Sequence, residues 1–455
     1  MSPHPRATMK NSLRPLLAAT LALSVAAASL PAQIAQHVVR TQIAGIDLVA
    51  YKTGVKDVVY LTGSLPAGDN KAPADNVMIP TLVGGMLSRG TTKHTKAEIA
   101  DQLDAVGASI SFSVGSQTVD ISARCLAKDV PLVVSLLAEQ LRSPAFSEEE
   151  FGRLKQQTLG NLKRALESTD FRATETFTRA VYGPGHPNRD PSIEEQTAAT
   201  QAATLDALKQ FHAAHYGPAH LTLVAAGDLD VGALQAEIGK QFAGWTGGTA
   251  PLARPANPPT DAPRDQTVFM ADKTSVNIVL GQATGLRYGD PDYFALRTAT
   301  AVLGSGFTGR LMANVRDKEG LTYGIGASHA NDTFTDGDFR ITATFSPALL
   351  EKGIASTKRQ LDRWYQEGIT ADELARRQDN LVGSFQVGLA TTGGLASNLL
   401  AAIQRGKDAS WLDQYPGVIR GLTLDQVNGA VKKHLNPAQM VLVKAGTVSE
   451  APAKN

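Results

Sequence analysis

The chain has 455 residues, of which 43% are hydrophobic and 19% charged, and its 44 basic and 43 acidic side chains leave a net charge of +1. That length exceeds one ordinary core and implies at least two domains, while the balanced charge excludes a global bias toward nucleic acid or acidic surfaces. One cysteine, Cys125, excludes an intrachain disulfide, so stability must come from packing.

At the N-terminus, Arg6, Lys10 and Arg14 precede an apolar stretch from Leu16 to Leu30 that runs into the small-residue sequence "AAASLPAQ". This is the pattern of a secretory signal peptide, residues 1–32, with cleavage expected near Ala32 and a periplasmic or secreted product. The run is short for a membrane span, and no later segment supplies about 20 uninterrupted apolar residues. No stable span is expected after signal cleavage.

The first distinctive stretch is "MIPTLVGGMLSRGT" (78–91), an apolar helical run interrupted by two adjacent glycines. Downstream, "ASISFSVGSQTVDISARC" (108–125) reads as two alternating strands around a turn, followed by the amphipathic helix "VPLVVSLLAEQL" (130–141). Cys125 falls at a buried position of the second strand, which argues against a reactive thiol. The helix beginning "SEEEFGRLKQQTLGNL" (147–162) opens with a serine and first-turn glutamates, an N-cap arrangement. His186, in the turn-rich "YGPGHPNRDP", is expected to cap or orient its loop.

The segment "TLDALKQFHAAHYGPAHLTLVAAG" (204–227) aligns without gaps with "TLDQVNGAVKKHLNPAQMVLVKAG" (423–446), ten of 24 positions being identical. Each copy predicts a helix, a proline-containing turn and an apolar strand. His212 and His215 share a helical face at i, i+3 and resemble a metal pair. In the repeat, however, His215 corresponds to His434 and His212 to Val431, and no third ligand is placed, so a structural role is expected.

"TGGTAPLARPANPPTDAPRD" (246–265), dense in Pro, Gly and Ala, predicts a linker outside the folded units. Beyond it, "YFALRTATAVL" (293–303) reads as a helix. The following "GSGFTG" (304–309) matches G-x-G-x-x-G, but a dinucleotide loop needs a preceding strand, so a flexible connection between helices is expected instead. In "GRLMANVRDKEGLTYGIGA" (309–327), Arg316 and Tyr323 flank a turn from helix into strand; alone, they would suit a solvated arginine and a strand-edge tyrosine. Two alternating strands, "YGIGASHANDTFTDGDFRITATF" (323–345), and the helices "EKGIASTKRQL" and "TADELARRQDNLVGSF" then mirror the first half.

The chain therefore predicts two similar α+β domains related by internal duplication, 36–246 and 265–448, joined by a 247–264 linker. Each has an antiparallel-rich sheet with helices packed on it, in a clamshell arrangement.

On the duplicated plan, "MLSRGT", "HYGPAHLTLVAAGDLD" and "RLMANVRDKEGLTYGIGA", the sequence resembles the pitrilysin/insulinase-type zinc peptidases, or inverzincins, and especially their mitochondrial-processing-peptidase-like bacterial members. The family's H-x-x-E-H helix binds Zn²⁺ through two histidines, with the glutamate as general base. Aligned on Met86 to Thr91, that motif falls on "TLVGG". Its histidine positions become Thr81 and Gly85, and its glutamate position becomes Gly84. A third ligand, a glutamate seven residues after another on a later helix, falls on Asn161, with Leu154 at the earlier position. None of these is a zinc ligand. The resemblance thus implies no metal and no peptide hydrolysis by this chain alone.

The resemblance also gives Arg316 and Tyr323 a role, since paired members use an Arg and a Tyr of a second domain to hold the substrate backbone beside zinc. A guanidinium and a phenol both donate hydrogen bonds to peptide oxygens. The implied function is a metal-free subunit of a zinc metalloendopeptidase heterodimer, completing a zinc-bearing homologous partner that cleaves peptides. A scaffold or peptide-binding protein with no part in proteolysis is the competing reading. An independent hydrolase lacks support, with no G-x-S-x-G or Cys/His signature.

Overall fold

The computed structural model describes residues 34–253, 257, 260 and 262–448. The expected signal segment lies outside them. In chain order the first half comprises β1 (Val38–Ile43), β2 (Ile46–Lys52), β3 (Val58–Leu65), α1 (Ile79–Met86), α2 (Lys96–Ala105), β4 (Ser109–Val114), β5 (Val119–Leu126), α3 (Val130–Arg142), α4 (Glu148–Leu166), α5 (Thr169–Val181), α6 (Ile193–Ala202), α7 (Leu205–His215), β6 (Thr222–Gly227) and α8 (Val231–Gln241). The second comprises β7 (Asp265–Phe269), β8 (Val276–Ala283), α9 (Tyr293–Gly304), a π-helical turn (Met312–Lys318), β9 (Gly324–Ala330), β10 (Asp338–Phe345), α10 (Leu350–Glu367), α11 (Ala371–Leu389), α12 (Thr392–Gln404), α13 (Ser410–Arg420), α14 (Leu424–His434) and β11 (Val441–Gly446). Among the described residues, no helix is long and apolar enough to cross a membrane.

Each half builds one sheet, ordered β1-β2-β6-β3-β5-β4 in the first and β7-β11-β8-β10-β9 in the second. Every pairing is antiparallel except β2 with β6 and β7 with β11, which occupy equivalent places. The fold is therefore the α+β duplication that the sequence predicts, with β1 as an edge strand peculiar to the first half. The repeated segment explains much of this likeness. Thr204 and Thr423 each accept a backbone N–H bond that starts α7 and α14. Each following strand ends at a glycine with φ +145°, Gly227 or Gly446, where the backbone crosses so close to its neighbour that a Cβ at Gly227 would lie 2.2 Å from the Val58 carbonyl.

One face of each sheet is covered by helices of its own half: Leu48, Leu61, Ile121 and Leu223 pack beneath α1, α3 and α7, and Ile278, Leu280 and Ile341 beneath α9, α10 and α14. The opposite faces are covered by exchange. Leu395, Ala396 and Leu399 of α12 lie on Val49, Val224 and Ala226 of the first sheet. Ala173, Phe177 and Ala180 of α5 lie on Val279, Val443 and Ala445 of the second. This is why β6 and β11 are apolar on both faces rather than alternating. Polar contacts reinforce the exchange, the Tyr182 hydroxyl donating to Asp338 at 2.9 Å while Asp338 also holds Arg340 at 2.5 and 2.6 Å. Parts of the 247–264 segment are tied to this region: Asn257 accepts a bond from the Gly183 amide, and Thr260 bonds the Ala180 carbonyl.

Candidate functional site

Helix α1 starts with Pro80 in its first turn, where a missing N–H does no harm, and continues through apolar residues into the core. Its two glycines are positions of close approach. A Cβ on Gly84 would stand 2.2 Å from Cγ2 of Val114 at the end of β4, and one on Gly85 would meet the Leu154 methyls of α4 at 3.0 and 3.1 Å. Thr81 faces another way, its hydroxyl donating to Asp69 at 2.9 Å. Asn161 is exposed and accepts a bond from Arg164. The four positions thus offer one hydroxyl, already engaged, one surface amide and two hydrogen atoms, with valine and leucine in the space beside the glycines. That donor set does not fit a zinc ion. Among the described residues, no group of three or more His, Cys, Asp or Glu stands where it could hold a metal.

A pocket of about 430 Å³ opens beside Thr81, lined also by Asp69, Glu175 and Asp190. Burial raises the Asp69 carboxyl from 3.8 to about 6, against the Thr81 hydrogen bond and with help from Asp190. Burial also pushes Asp190 and Glu175 upward, although Thr178 donates to the first at 3.0 Å and Arg172 pairs with the second at 3.3 Å. These carboxyls come from the segment before α1, from α5 and from the loop before α6. Their convergence depends on tertiary packing that no local motif announces.

The other residues singled out by sequence have structural partners. His212 Nε2 lies 2.8 Å from the Leu141 carbonyl and His215 Nδ1 lies 3.2 Å from Thr249, so the two rings serve separate anchors. His434, in the equivalent repeat position to His215, bonds Asp292 at 2.8 Å. His186 is buried, stacks on Tyr182 and accepts the Asn188 amide at 3.1 Å, orienting its loop. Cys125 is buried in β5, and burial pushes its thiol up to about 11.

Arg316 and Tyr323 do come together. Arg316 leaves the π-helical turn with its guanidinium carbon 5.5 Å from the Tyr323 ring and 5.4 Å from the Phe307 ring. Tyr323 is 89% exposed and Phe307 is 73% exposed. Two features hold the cluster. Thr322 donates to the Thr344 carbonyl, fixing the entry to β9. Gly304 lets the end of α9 rest on β9, since a Cβ there would lie 2.1 Å from the Ala327 nitrogen. The "GSGFTG" segment is thus a connection that turns at Gly306, φ +67°, and presents Phe307. Phe307 joins them without a motif of its own, an aromatic ring in a glycine-flanked loop being its signal in the sequence. The cluster does not join the Thr81 pocket, whose lining comes wholly from the first half.

Residues 59–186 match the family model described as insulinase, peptidase family M16, and residues 202–381 match that described as peptidase M16 inactive domain. An uncharacterized zinc protease of Streptomyces coelicolor is 26% identical over 319 residues, covering 69% of this chain and 69% of that protein. One of Bacillus subtilis is 23% identical over 353 residues, covering 76% and 83%. Among solved structures, a peptidase M16 inactive domain from Pseudomonas fluorescens superimposes with a TM-score of 0.82 at 24% identity, covering 91% of this chain and 99% of that one. A protease from Helicobacter pylori gives 0.77 at 18%, covering 90% and 99%. At under 25% identity, these two structures are likenesses of fold. With the two M16 models together spanning more than half of the sequence, and the motif helix present but stripped of its ligands, the chain belongs to the pitrilysin/insulinase-type M16 peptidase family.

Proposed function

We propose that this chain is a metal-free, non-catalytic subunit of a periplasmic M16 metallopeptidase, completing the active site of a zinc-bearing homologous partner. The observation that carries this reading is the pairing of opposites: the motif helix has valine and leucine packed against its glycines, while Tyr323 stays open to solvent with the half-buried Arg316 guanidinium, 3.5 Å from Asp317, beside its ring. In the proposed complex the guanidinium and the phenol donate hydrogen bonds to the backbone oxygens of a peptide lying beside the partner's zinc. Phe307 supplies an apolar surface next to them. The first half of this chain contributes shape and the exchanged helix rather than chemistry.

The test uses the mature chain mixed with a zinc-bearing M16 homologue from the same genome. Tyr323→Phe removes one hydroxyl and keeps the ring; Arg316→Ala removes the guanidinium. Each is expected to lower kcat of the mixed complex on the order of 10²-fold, with assembly and zinc content unchanged, because such donors act most on developing transition-state charge. Unchanged peptidase kinetics in both variant complexes would leave only a scaffold role.

A further inference from the structure

The second half has its own pocket where duplication would place one. The Thr81 pocket is framed by α1, β4, α5 and α6; a pocket of about 350 Å³ is framed by their counterparts α9, β9, α12 and α13, with α11 alongside. Its walls are aromatic. Phe294 and Trp411 stack at 5.5 Å, and Tyr288 meets them edge-on at 5.5 and 5.9 Å. This size and lining are those of sites for small organic ligands rather than of packing defects.

Its polar groups are unevenly satisfied. Arg297 is neutralised by Asp332 at 2.6 Å, and His329, held by Thr300 at 2.8 Å, is kept uncharged by burial. Arg405 differs. Its guanidinium lies 4.5 Å over the Tyr288 ring and reaches Thr333 at 3.3 Å, yet its Nε has no partner and, among the described residues, it makes no ion pair. Among the described residues, two hydroxyls in the pocket wall also find no hydrogen-bond partner: Thr298 Oγ1, on a residue 1% exposed, and Tyr288 Oη, on a residue 7% exposed. The Trp411 indole is close enough to influence the Tyr288 phenol but not in bonding geometry. A native interior rarely leaves buried polar atoms unpaired, and here they gather behind the wall of an aromatic cavity whose Arg405, among the described residues, has no carboxylate partner.

We propose that this pocket binds a planar aromatic carboxylate, its ring among Tyr288, Phe294 and Trp411 and its carboxylate on Arg405. The same chemistry is presented by a free aromatic acid and by the C-terminal aromatic residue of a peptide. Arginine suits the carboxylate through its forked donors, and the ring gains offset and edge contacts at little entropic expense. The proposal stands apart from the proposed subunit role, since no residue of the Arg316 cluster lines this pocket.

The test is titration calorimetry on the full mature chain with three probes: N-acetyl-L-phenylalanine, its uncharged amide, and the tetrapeptide Ala-Ala-Ala-Phe with a free carboxyl terminus. One-to-one binding is expected, with the acid at least about tenfold tighter than the amide, as a charge-assisted hydrogen bond requires. Binding of the tetrapeptide as well would identify peptide ends as the source, and binding of the free acid alone would identify small acids. Arg405→Gln should erase the acid-over-amide preference, and Arg405→Lys should restore part of it. Ala301→Leu, which fills the pocket from α9 without touching the charge, should abolish binding of every probe, with near-ultraviolet circular dichroism confirming an intact fold. Absence of saturable binding by any probe, or affinities unaltered in both Arg405→Gln and Ala301→Leu, overturns the assignment.

Discussion

Replacing Gly84 by alanine should destabilise the protein, although glycine-to-alanine exchanges inside helices ordinarily do the reverse. Gly84 lies in the last turn of α1, where alanine would contribute about 1 kcal/mol through helix propensity and a less flexible unfolded chain. Against this stands a Cβ placed 2.2 Å from Cγ2 of Val114, far inside van der Waals contact. Valine is stiff about χ1, so relief requires a poor rotamer or a shift of the β4 end, and overpacking of this kind costs about 1–3 kcal/mol. The net expectation is a loss of about 1 kcal/mol. Val114→Ala alone should cost about 1 kcal/mol in lost burial, and in the double variant the clash disappears, leaving a favourable coupling of about 1 kcal/mol or more. Gly85→Ala is the control: it meets only the flexible methyls of Leu154 at 3.0 Å and should be near neutral. Urea unfolding of the parent and the four variants gives these differences from midpoints at constant slope. A Gly84→Ala variant more stable than the parent, or a coupling below about 0.3 kcal/mol, would refute the claim that β4 occupies the space beside this glycine.

Asp69→Asn should stabilise the protein at neutral pH and leave it unaltered in acid. The carboxyl, raised to about 6, stays protonated in the fold after it has ionised in the unfolded chain, so stability declines as pH rises from about 3.8 to about 6 and is level above. The gain at pH 7.5 is at most about 3 kcal/mol and should vanish by pH 3.5, since Asn keeps the oxygen that accepts from Thr81; a gain equal at both pH values would contradict the burial argument. The dialysed protein should contain no stoichiometric zinc by metal analysis, and a reproducible one-to-one content would require ligands other than those at Thr81, Gly84, Gly85 and Asn161. Limited proteolysis should cut first within 250–253, where the backbone is exposed, and early cutting inside either sheet would move the unit boundary.

Local patterns made the secondary structure legible. The repeated "TLD" segments carry their own caps and end signals, and the alternating stretches before Cys125 and before Phe345 became β4–β5 and β9–β10 with little ambiguity. Arg316 and Tyr323 stand out because both lie in one continuous motif, and the fold brings their side chains together. The exchange of α5 and α12 was not legible, since each helix reads as an ordinary amphipathic segment whose apolar side gives no hint of which sheet receives it. Nor were Asp69, Glu175 and Asp190, or the aromatic walls around Arg405, visible as groups. Their members are scattered over more than 100 residues and meet only through packing.

The reciprocal placement of α5 and α12 also sets the terms on which the chain holds together once its backbone is broken. Each sheet has a face that only the other half can cover, so neither half is a closed body by itself, and a single half could satisfy its bare face only by pairing with a second copy of similar shape. The peptide joining them raises the local concentration of each for the other and makes assembly independent of dilution. After a cut at 250–253 the fragments should therefore migrate as one particle under native conditions, separating only in denaturant, and neither should refold alone from it.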